Sequence, residues 1–341
     1  MVIVHYRAAV IAFTYDECWS FNAFARAGWA STFWNLDPSS NNHILHSLLM
    51  KVSWILFGAS EYSLRLPVLI SHFFFLLICY KLVRSYFPKY GIWVFLSLNL
   101  QPYLLDYFAA ARGYGLSITF MVYGLYFLLK YWDHQKEKYL LALGLFASLS
   151  VWANFTFLLV FASLLAIGFG IIIYKRKSQL KHWFAILLFP SLIISLLFKP
   201  LHRIIEKGEL YFGGTEGFYS DTVLSLSQKM LYDLTENQFL LSIFPAIVIL
   251  SLIPSVWIIY SHWKNNSEDR IHRISLFVLI LVGPILGSIL LHYWLEKPFL
   301  IERTALFILP LAILQLFASL ENIKEKFISR NFKKGLAWPT I

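Results

Sequence analysis

The sequence predicts an all-α fold, a polytopic bundle of helices embedded in a membrane. Three observations carry that prediction. Of the 341 residues, 58% are hydrophobic and only 14% are charged, whereas a soluble domain carries about 25% charged residues. Apolar runs close to the ~20 residues that cross a bilayer recur along most of the chain. Lysine and arginine gather in the short segments between those runs. Length alone would suit about two soluble domains, but the recurring runs make one transmembrane domain over 1–320 and a basic tail over 321–341. The net charge of +10 forms no continuous stripe, which excludes a nucleic-acid partner and leaves the lipid bilayer as the surrounding medium. Cys18 lies outside the apolar runs and Cys79 inside one, so neither a disulfide nor a metal-binding spacing is expected. The opening residues lack the pattern of a cleavable signal peptide.

The elements follow in order. Residues 1–65 form a polar first loop that holds the acidic pair Asp16-Glu17 in YDECWSFN. Within it, 43–57 is too short to span. His43, His46, Ser47, Met50, Lys51 and Trp54 recur at helical spacing, opposite Ile44, Leu45, Leu48, Leu49, Val52 and Ile55. That pattern predicts an amphipathic helix lying in the membrane interface. Nine spans are expected, over 66–83, 87–105, 114–132, 139–154, 155–174, 183–199, 238–261, 274–294 and 304–320. The stretch 139–174 holds no charged residue and is too long for one span, so it is divided near Asn154. A second large loop occupies 200–236.

Orientation follows from the excess of lysine and arginine on the cytoplasmic side of membrane proteins. The segments 81–90, 130–138, 174–182, 262–273 and 321–341 hold 18 of the 29 basic residues and 6 of the 19 acidic ones, and are assigned to the cytoplasm. The remaining segments, with 11 basic and 13 acidic residues, are assigned outside. The first span then runs inward from an external N-terminus, which implies a further span upstream. The setting expected is a bacterial inner membrane with the active site facing outward.

The outer segments collect Asp16, Glu17, Asp37, Asp106, Glu296 and Glu302, together with Arg65, Arg112 and Arg303 at span edges. Taken singly, the acids read as solvated loop groups and the arginines as snorkelling side chains. Taken together on one face, they suit transfer of a group from a lipid-linked phosphate. A carboxylate can take the proton of an acceptor hydroxyl or amine. Arginine's planar fork matches phosphate oxygens. Asp106 lies in QPYLLDYFAAARGYGLS, where an acid at a span end is costly to place. His43 and His46, three residues apart, match no specific zinc motif and are read as interfacial groups or acceptor contacts.

These residues resemble, in order, the motifs of the GT-C class of polyprenyl-phosphate-sugar-dependent membrane glycosyltransferases. The nearest likeness is to the family 39 group, which includes protein O-mannosyltransferases and lipid A aminoarabinose transferases. Asp16-Glu17 matches the family's first-loop acidic pair. His43-Ile44-Leu45 answers a His-Pro-Pro-Leu helix start without its prolines. Gly58-Ala59-Ser60-Glu61-Tyr62-Ser63-Leu64-Arg65-Leu66-Pro67 matches a Gly-x-Ser-Glu-x-x-x-Arg-Leu-Pro run. Ala111-Arg112-Gly113-Tyr114 matches an Ala-Arg-x-Tyr turn, although many members carry the acid where this chain has Ala110, so that Asp106 would act from one helical turn earlier. Arg303 and Pro310 match a late arginine before a proline-containing span.

The resemblance implies a GT-C-like bundle with a span upstream of the acidic pair, and a sugar donor carried on polyprenyl phosphate. It makes Asp16 the base of an inverting transfer, with Glu17 and Asp106 as further catalytic acids. Arg112, Arg303 and Tyr114 become the donor-phosphate site, and His43, His46 and Arg65 become acceptor or loop contacts. It fixes no cofactor. A divalent metal is left open, with Glu17 and Asp106 as its candidate ligands. The acceptor is a lipid, a protein or a glycan. The competing readings are a transporter or flippase of lipid-linked sugars, and a non-catalytic assembly subunit of the cell envelope. The first would favour acids within the spans or two related halves, and this chain shows neither.

Overall fold

A computed structural model describes residues 1–176, 179–209, 213–264 and 273–335. Three short helices build the first loop: α1 (Val2–Val10), α2 (Tyr15–Trp19), which continues as a wider π-helical turn over Ser20–Ala25, and α3 (Trp29–Trp34). Then follow α4 (Ile44–Phe57), α5 (Glu61–Tyr86), α6 (Gly91–Asn99), α7 (Pro102–Ala109), α8 (Tyr114–His134) and α9 (Glu137–Ala153). The second half contains α10 (Leu158–Tyr174), α11 (Leu180–Glu206), α12 (Ser225–Met230), α13 (Gln238–Lys264), α14 (Ile274–Leu295) and α15 (Ile308–Gly335). Among the described residues the only strand-like pairing is one bridge, Gly214 with Phe299.

Five of these helical segments are long and apolar enough to cross a membrane: Glu61–Tyr86, Phe155–Tyr174, Leu180–Glu206, Gln238–Ser261 and Ile274–Leu295. Their surfaces carry large apolar side chains on the outside, such as Phe198, Ile253 and Trp257, as a bundle solvated by lipid requires. The protein is therefore an integral membrane protein with an all-α fold. The turn near Asn154 falls where the uncharged stretch had to divide, and the Asn154 side chain caps it by accepting from Thr156 N–H at 3.0 Å. The expected span 87–105 is instead broken at Leu100–Gln101. Pro102 occupies the first position of α7, and the Gln101 side chain accepts the Leu104 N–H at 2.8 Å. A proline at that position favours a new helix start over continuation of the old one. The tail expected over 321–341 continues α15 as far as Gly335, and its remainder lies outside the described residues.

Helix α8 is the axis of the first half. It packs against α5, α9 and α10, and most of its residues from Tyr114 to Trp132 are buried. Hydroxyl pairs fasten it. Ser117 Oγ and Ser150 Oγ each donate to the other's carbonyl, at 2.8 and 2.9 Å, and Ser71 Oγ lies 2.8 Å from Thr119 Oγ1. Between α13 and α15 a buried network joins Ser251, Ser255, Gln315 and Ser319. Lipid offers these groups no hydrogen bonds, so helix-to-helix pairing is how they are satisfied.

Helix α4 faces the opposite way to a helix on a soluble protein. His46, Ser47, Met50, Lys51 and Ser53 are buried against protein, while Val52, Ile55, Leu56 and Phe57 are exposed. The Lys51 ammonium donates to the Ala27 carbonyl and sits 5.0 Å from the Trp29 ring centre. The helix thus covers the polar loop with its polar face and leaves its apolar face outward, which suits the interfacial position expected.

Candidate active site

The acidic pair is divided by helix geometry. Adjacent residues on a helix point about 100° apart, so Asp16 and Glu17 on α2 reach different surroundings. Thr14 caps α2 and receives Glu17 in return, the reciprocal arrangement of a capping box. That fixes Glu17 inward, fully buried, where Arg65 from the second turn of α5 meets it with two parallel bonds, Nε to Oε1 at 2.8 Å and Nη2 to Oε2 at 2.9 Å. The Ala111 N–H donates to the same carboxylate at 2.6 Å. Arg65 spends its other donors on the carbonyls of Ala8, Ile11 and Ala12. Burial would raise the Glu17 pKa. The Arg65 bonds, the backbone N–H groups of Ala111 and Thr14 and the Arg65 charge outweigh it and hold the carboxyl below its ordinary value.

Asp16 points to the other side and is partly exposed. Arg303 Nη1 lies 2.5 Å from Asp16 Oδ2, and Arg112 Nη2 lies 3.9 Å from the same oxygen. Arg112 is buried and held by neutral acceptors: Ser20 Oγ at 3.0 Å, the Asp16 carbonyl at 3.3 Å and Asn41 Oδ1. Arg303 is delivered by the short turn Glu302–Ala305, after Glu302 adopts a left-handed backbone with φ of 46°. Its N–H is received by Ser225 Oγ at 3.0 Å, and its carboxylate lies 3.6 Å from Lys229. The rings of Tyr114 and Tyr107 meet at a tilt, with centres 4.9 Å apart, and both tyrosines lie near Arg112 and Arg303. Asp16, Arg112, Arg303 and Tyr114 are thus brought together from 287 positions of sequence separation.

Other expected residues stand apart from that cluster. Asp106 is bound by Arg7 of α1 at 2.5 Å and by the Tyr232 hydroxyl at 2.7 Å, so it ties α7 to α1 and to the segment after α12. Arg65 is a partner of Glu17 rather than an open contact. His43 and His46 are buried beside Arg112. Burial, followed by the Arg112 charge, pulls the His43 pKa well below its usual value and that of His46 down to about 3. The residues do not fit a metal at Glu17 or Asp106, because both oxygens of each carboxylate already face an arginine, a tyrosine or backbone N–H groups. Among the described residues no group of three or more metal-ligand side chains converges.

Sequence reasoning missed Ser20, Asn41, Arg7, Tyr107 and Tyr232. Ser20 follows Asp16 by four residues, which is the same helical face, and Arg7 is the single permanent charge in VIVHYRAAV. Those two signals were legible. Asn41 and Tyr232 reach their partners only through the tertiary fold.

An apolar hollow of about 520 Å³ lies between α4, α5, α8 and α9, lined among others by Leu56, Pro67, Phe74, Phe120 and Phe146. A second hollow of about 480 Å³, lined by Trp29, Phe33 and Trp34, adjoins it, and the two share Leu49 and Val52.

Comparison with known proteins agrees with this fold. The dolichyl-phosphate-mannose-protein mannosyltransferase family matches residues 41–202. Two crystal structures of ArnT from Cupriavidus metallidurans are similar over 98% of this chain. The apo form has 11% identity and a TM-score of 0.53. The form bound to undecaprenyl phosphate has 12% identity and a TM-score of 0.55. This chain covers 60% and 61% of those two chains, so it corresponds to about three fifths of their length. No curated protein sequence matches the chain. The family match over 41–202 and the shared fold over nearly the whole chain bear out the resemblance to the GT-C membrane glycosyltransferases.

Proposed function

We propose that this protein is a membrane glycosyltransferase that takes a sugar from a polyprenyl-phosphate carrier and passes it to an acceptor at the polar end of the bundle, which we place on the outer side of a bacterial inner membrane. One observation carries the reading: two guanidinium groups, from Arg112 and Arg303, converge on the single carboxylate of Asp16. Two guanidinium groups side by side present several N–H donors in fixed forks to an anion. Arginine is the side chain suited to phosphate oxygens. The apolar hollow beside α4 offers a lipid chain a surface of its own kind. That an ArnT structure holds undecaprenyl phosphate supports the choice of carrier.

The chemistry follows from the parts. A donor phosphate draws Arg303 and Arg112 to its oxygens, and Arg303 gives up its bond to Asp16. The freed carboxylate then accepts the acceptor's proton while the acceptor atom bonds to the anomeric carbon. The anomeric carbon–oxygen bond breaks, and its electron pair goes to the phosphate, where the two arginines receive the charge. One displacement of this kind inverts the anomeric centre. Glu17 takes no proton in this scheme. It fixes Arg65, the Ala111 N–H and hence the turn that carries Arg112.

The test is to incubate the purified protein with a panel of polyprenyl-phosphate sugars and identify the one consumed. Asp16→Asn, with folding retained, should lower transfer by about 10²–10⁴-fold, the usual contribution of a general base. Undiminished transfer would remove Asp16 from this role. Failure to bind or consume any donor would remove the reading.

A further inference from the structure

Lys130 lies at the end of α8 remote from the Asp16 cluster. The helical rise from Tyr114 to Lys130 is about 24 Å, against about 30 Å for the hydrocarbon layer of a bilayer. Lys130 therefore stands near the opposite headgroups. It is half-buried, with its ammonium 5.4 Å from the Tyr126 ring centre and 5.6 Å from that of Tyr86. Asp133, the acid of this corner, is taken up by Arg273 at 2.8 Å and by the Tyr86 hydroxyl at 3.0 Å. The Arg273 guanidinium lies 5.2 Å from the same Tyr86 ring centre. Lys130 makes no ion pair among the described residues. An aromatic ring attracts an ammonium through its quadrupole and cancels none of its charge. A charge set against hydrocarbon is costly unless something pairs with it.

The surface that leads to Lys130 suits a hydrocarbon chain. On α8, Phe120, Tyr123, Phe127 and Lys130 follow one another at spacings of four, three and four or fewer, which is one helical face. Phe146 of α9 stacks against Tyr123 and Phe127, with centres 4.7 and 5.6 Å apart, and Tyr139 stacks on Phe127 at 6.3 Å. Each of these rings is half-buried, so the rings brace one another and turn their remaining surface to the bilayer. Phe120, Tyr123 and Phe146 also line the larger apolar hollow. The strip therefore runs from that hollow down to Lys130, apolar along its length and cationic at its foot.

We propose that this corner binds one anionic phospholipid, with its phosphate on Lys130 beside the Arg273–Asp133 pair and an acyl chain along Phe127 and Tyr139. Charge selects the lipid. An anionic headgroup supplies the counter-charge that Lys130 lacks, whereas the phosphate of a zwitterionic lipid brings its own cation. A soluble anion would meet the charge and leave the rings bare, and a purely apolar partner would do the reverse. The bound headgroup would bridge α8 to the start of α14, where Arg273 stands. The proposal does not depend on the sugar-transfer reading of the Asp16 cluster.

The experiment is native mass spectrometry of the full chain in detergent, titrated with phosphatidylglycerol and with phosphatidylcholine of the same acyl chains. Wild type should bind the first phosphatidylglycerol about fivefold more tightly, the scale of one lysine facing an anionic lipid. Lys130→Gln should remove that preference and leave phosphatidylcholine binding unchanged. Lys136→Gln, at an exposed lysine of the same end, should keep the preference. No preference in wild type, a preference that survives Lys130→Gln, or an equal loss in Lys136→Gln overturns the proposal. Should Lys130→Gln fail to fold, Phe127→benzoylphenylalanine decides by photo-crosslinking in liposomes of the two lipids in equal parts. Phosphatidylglycerol should be the main adduct. Equal labelling of both lipids, or an adduct with a second protein chain in their place, overturns the proposal.

Discussion

Arg65 has five N–H donors, and each has a partner: two go to Glu17 and three to the carbonyls of Ala8, Ile11 and Ala12. Nothing remains for a ligand. The pair belongs to the framework, and removing one partner leaves the other charge buried. Arg65→Met or Glu17→Gln should therefore destabilise the protein by about 3–5 kcal/mol, whereas an apolar double replacement should recover part of that loss. Thermal unfolding in detergent measures all three. The pH dependence has a definite sign. The Glu17 carboxyl titrates below its ordinary 4.5 in the folded protein, so the unfolded chain takes up protons first as pH falls. The contribution is complete above 4.5 and is lost as pH drops through the folded value. Glu17→Gln should lack that part of the acid sensitivity. The sequence made both residues visible, Glu17 beside Asp16 and Arg65 in GASEYSLRLP. Their pairing across 48 positions was not legible. Nor was the choice of which acid turns inward, because that depends on the cap at Thr14 and on what α5 presents.

At the scale of elements, α4 shows what periodicity can and cannot settle. The alternation of polar and apolar faces over 43–57 was legible, but the pattern alone does not say which face meets the protein. The answer comes from the preceding loop, whose buried groups need polar partners: Ser47 Oγ donates to Asn42 Oδ1 at 2.9 Å and Lys51 reaches the Ala27 carbonyl. The exposed face is then left to lipid. With Cys18 replaced by serine, a cysteine at Ile55 should react with a maleimide confined to the bilayer, and a cysteine at Met50 should not. Ile55 is 61% exposed and Met50 is 0%. Reaction at Met50, or reaction at Ile55 with water-soluble reagents alone, would place α4 elsewhere. The break between α6 and α7 shows the converse. Hydropathy stays high through 87–105, so the run reads as one span, and only the Gln101-Pro102 cap divides it. That division matters, because α7 places Asp106 on Arg7 and Tyr107 beside Tyr114.

For the whole molecule, charge counting sorts the segments into two sets, and the contacts keep the sets apart. One set meets through Asp16 with Arg303, Asp106 with Tyr232, Arg203 with the Trp34 carbonyl and Lys207 with Asp37. The other meets through Glu321 with the N–H groups of Lys89 and Tyr90, Asp133 with Tyr86 and Arg273, and Glu137 with Lys181. Every one of these pairs joins segments assigned to the same side, which is the arrangement expected when lipid separates two polar ends. The excess of lysine and arginine then predicts the direction. In intact cells of the Cys18→Ser background, a cysteine at Glu236 should react with a membrane-impermeant maleimide, and a cysteine at Lys136 should react only after the membrane is opened. Both positions are exposed, so access turns on the side of the membrane alone. The reverse pattern would turn the bundle over and put the Asp16 cluster in the cytoplasm. Reaction of both from outside would mean that the two polar ends are not separated by the membrane.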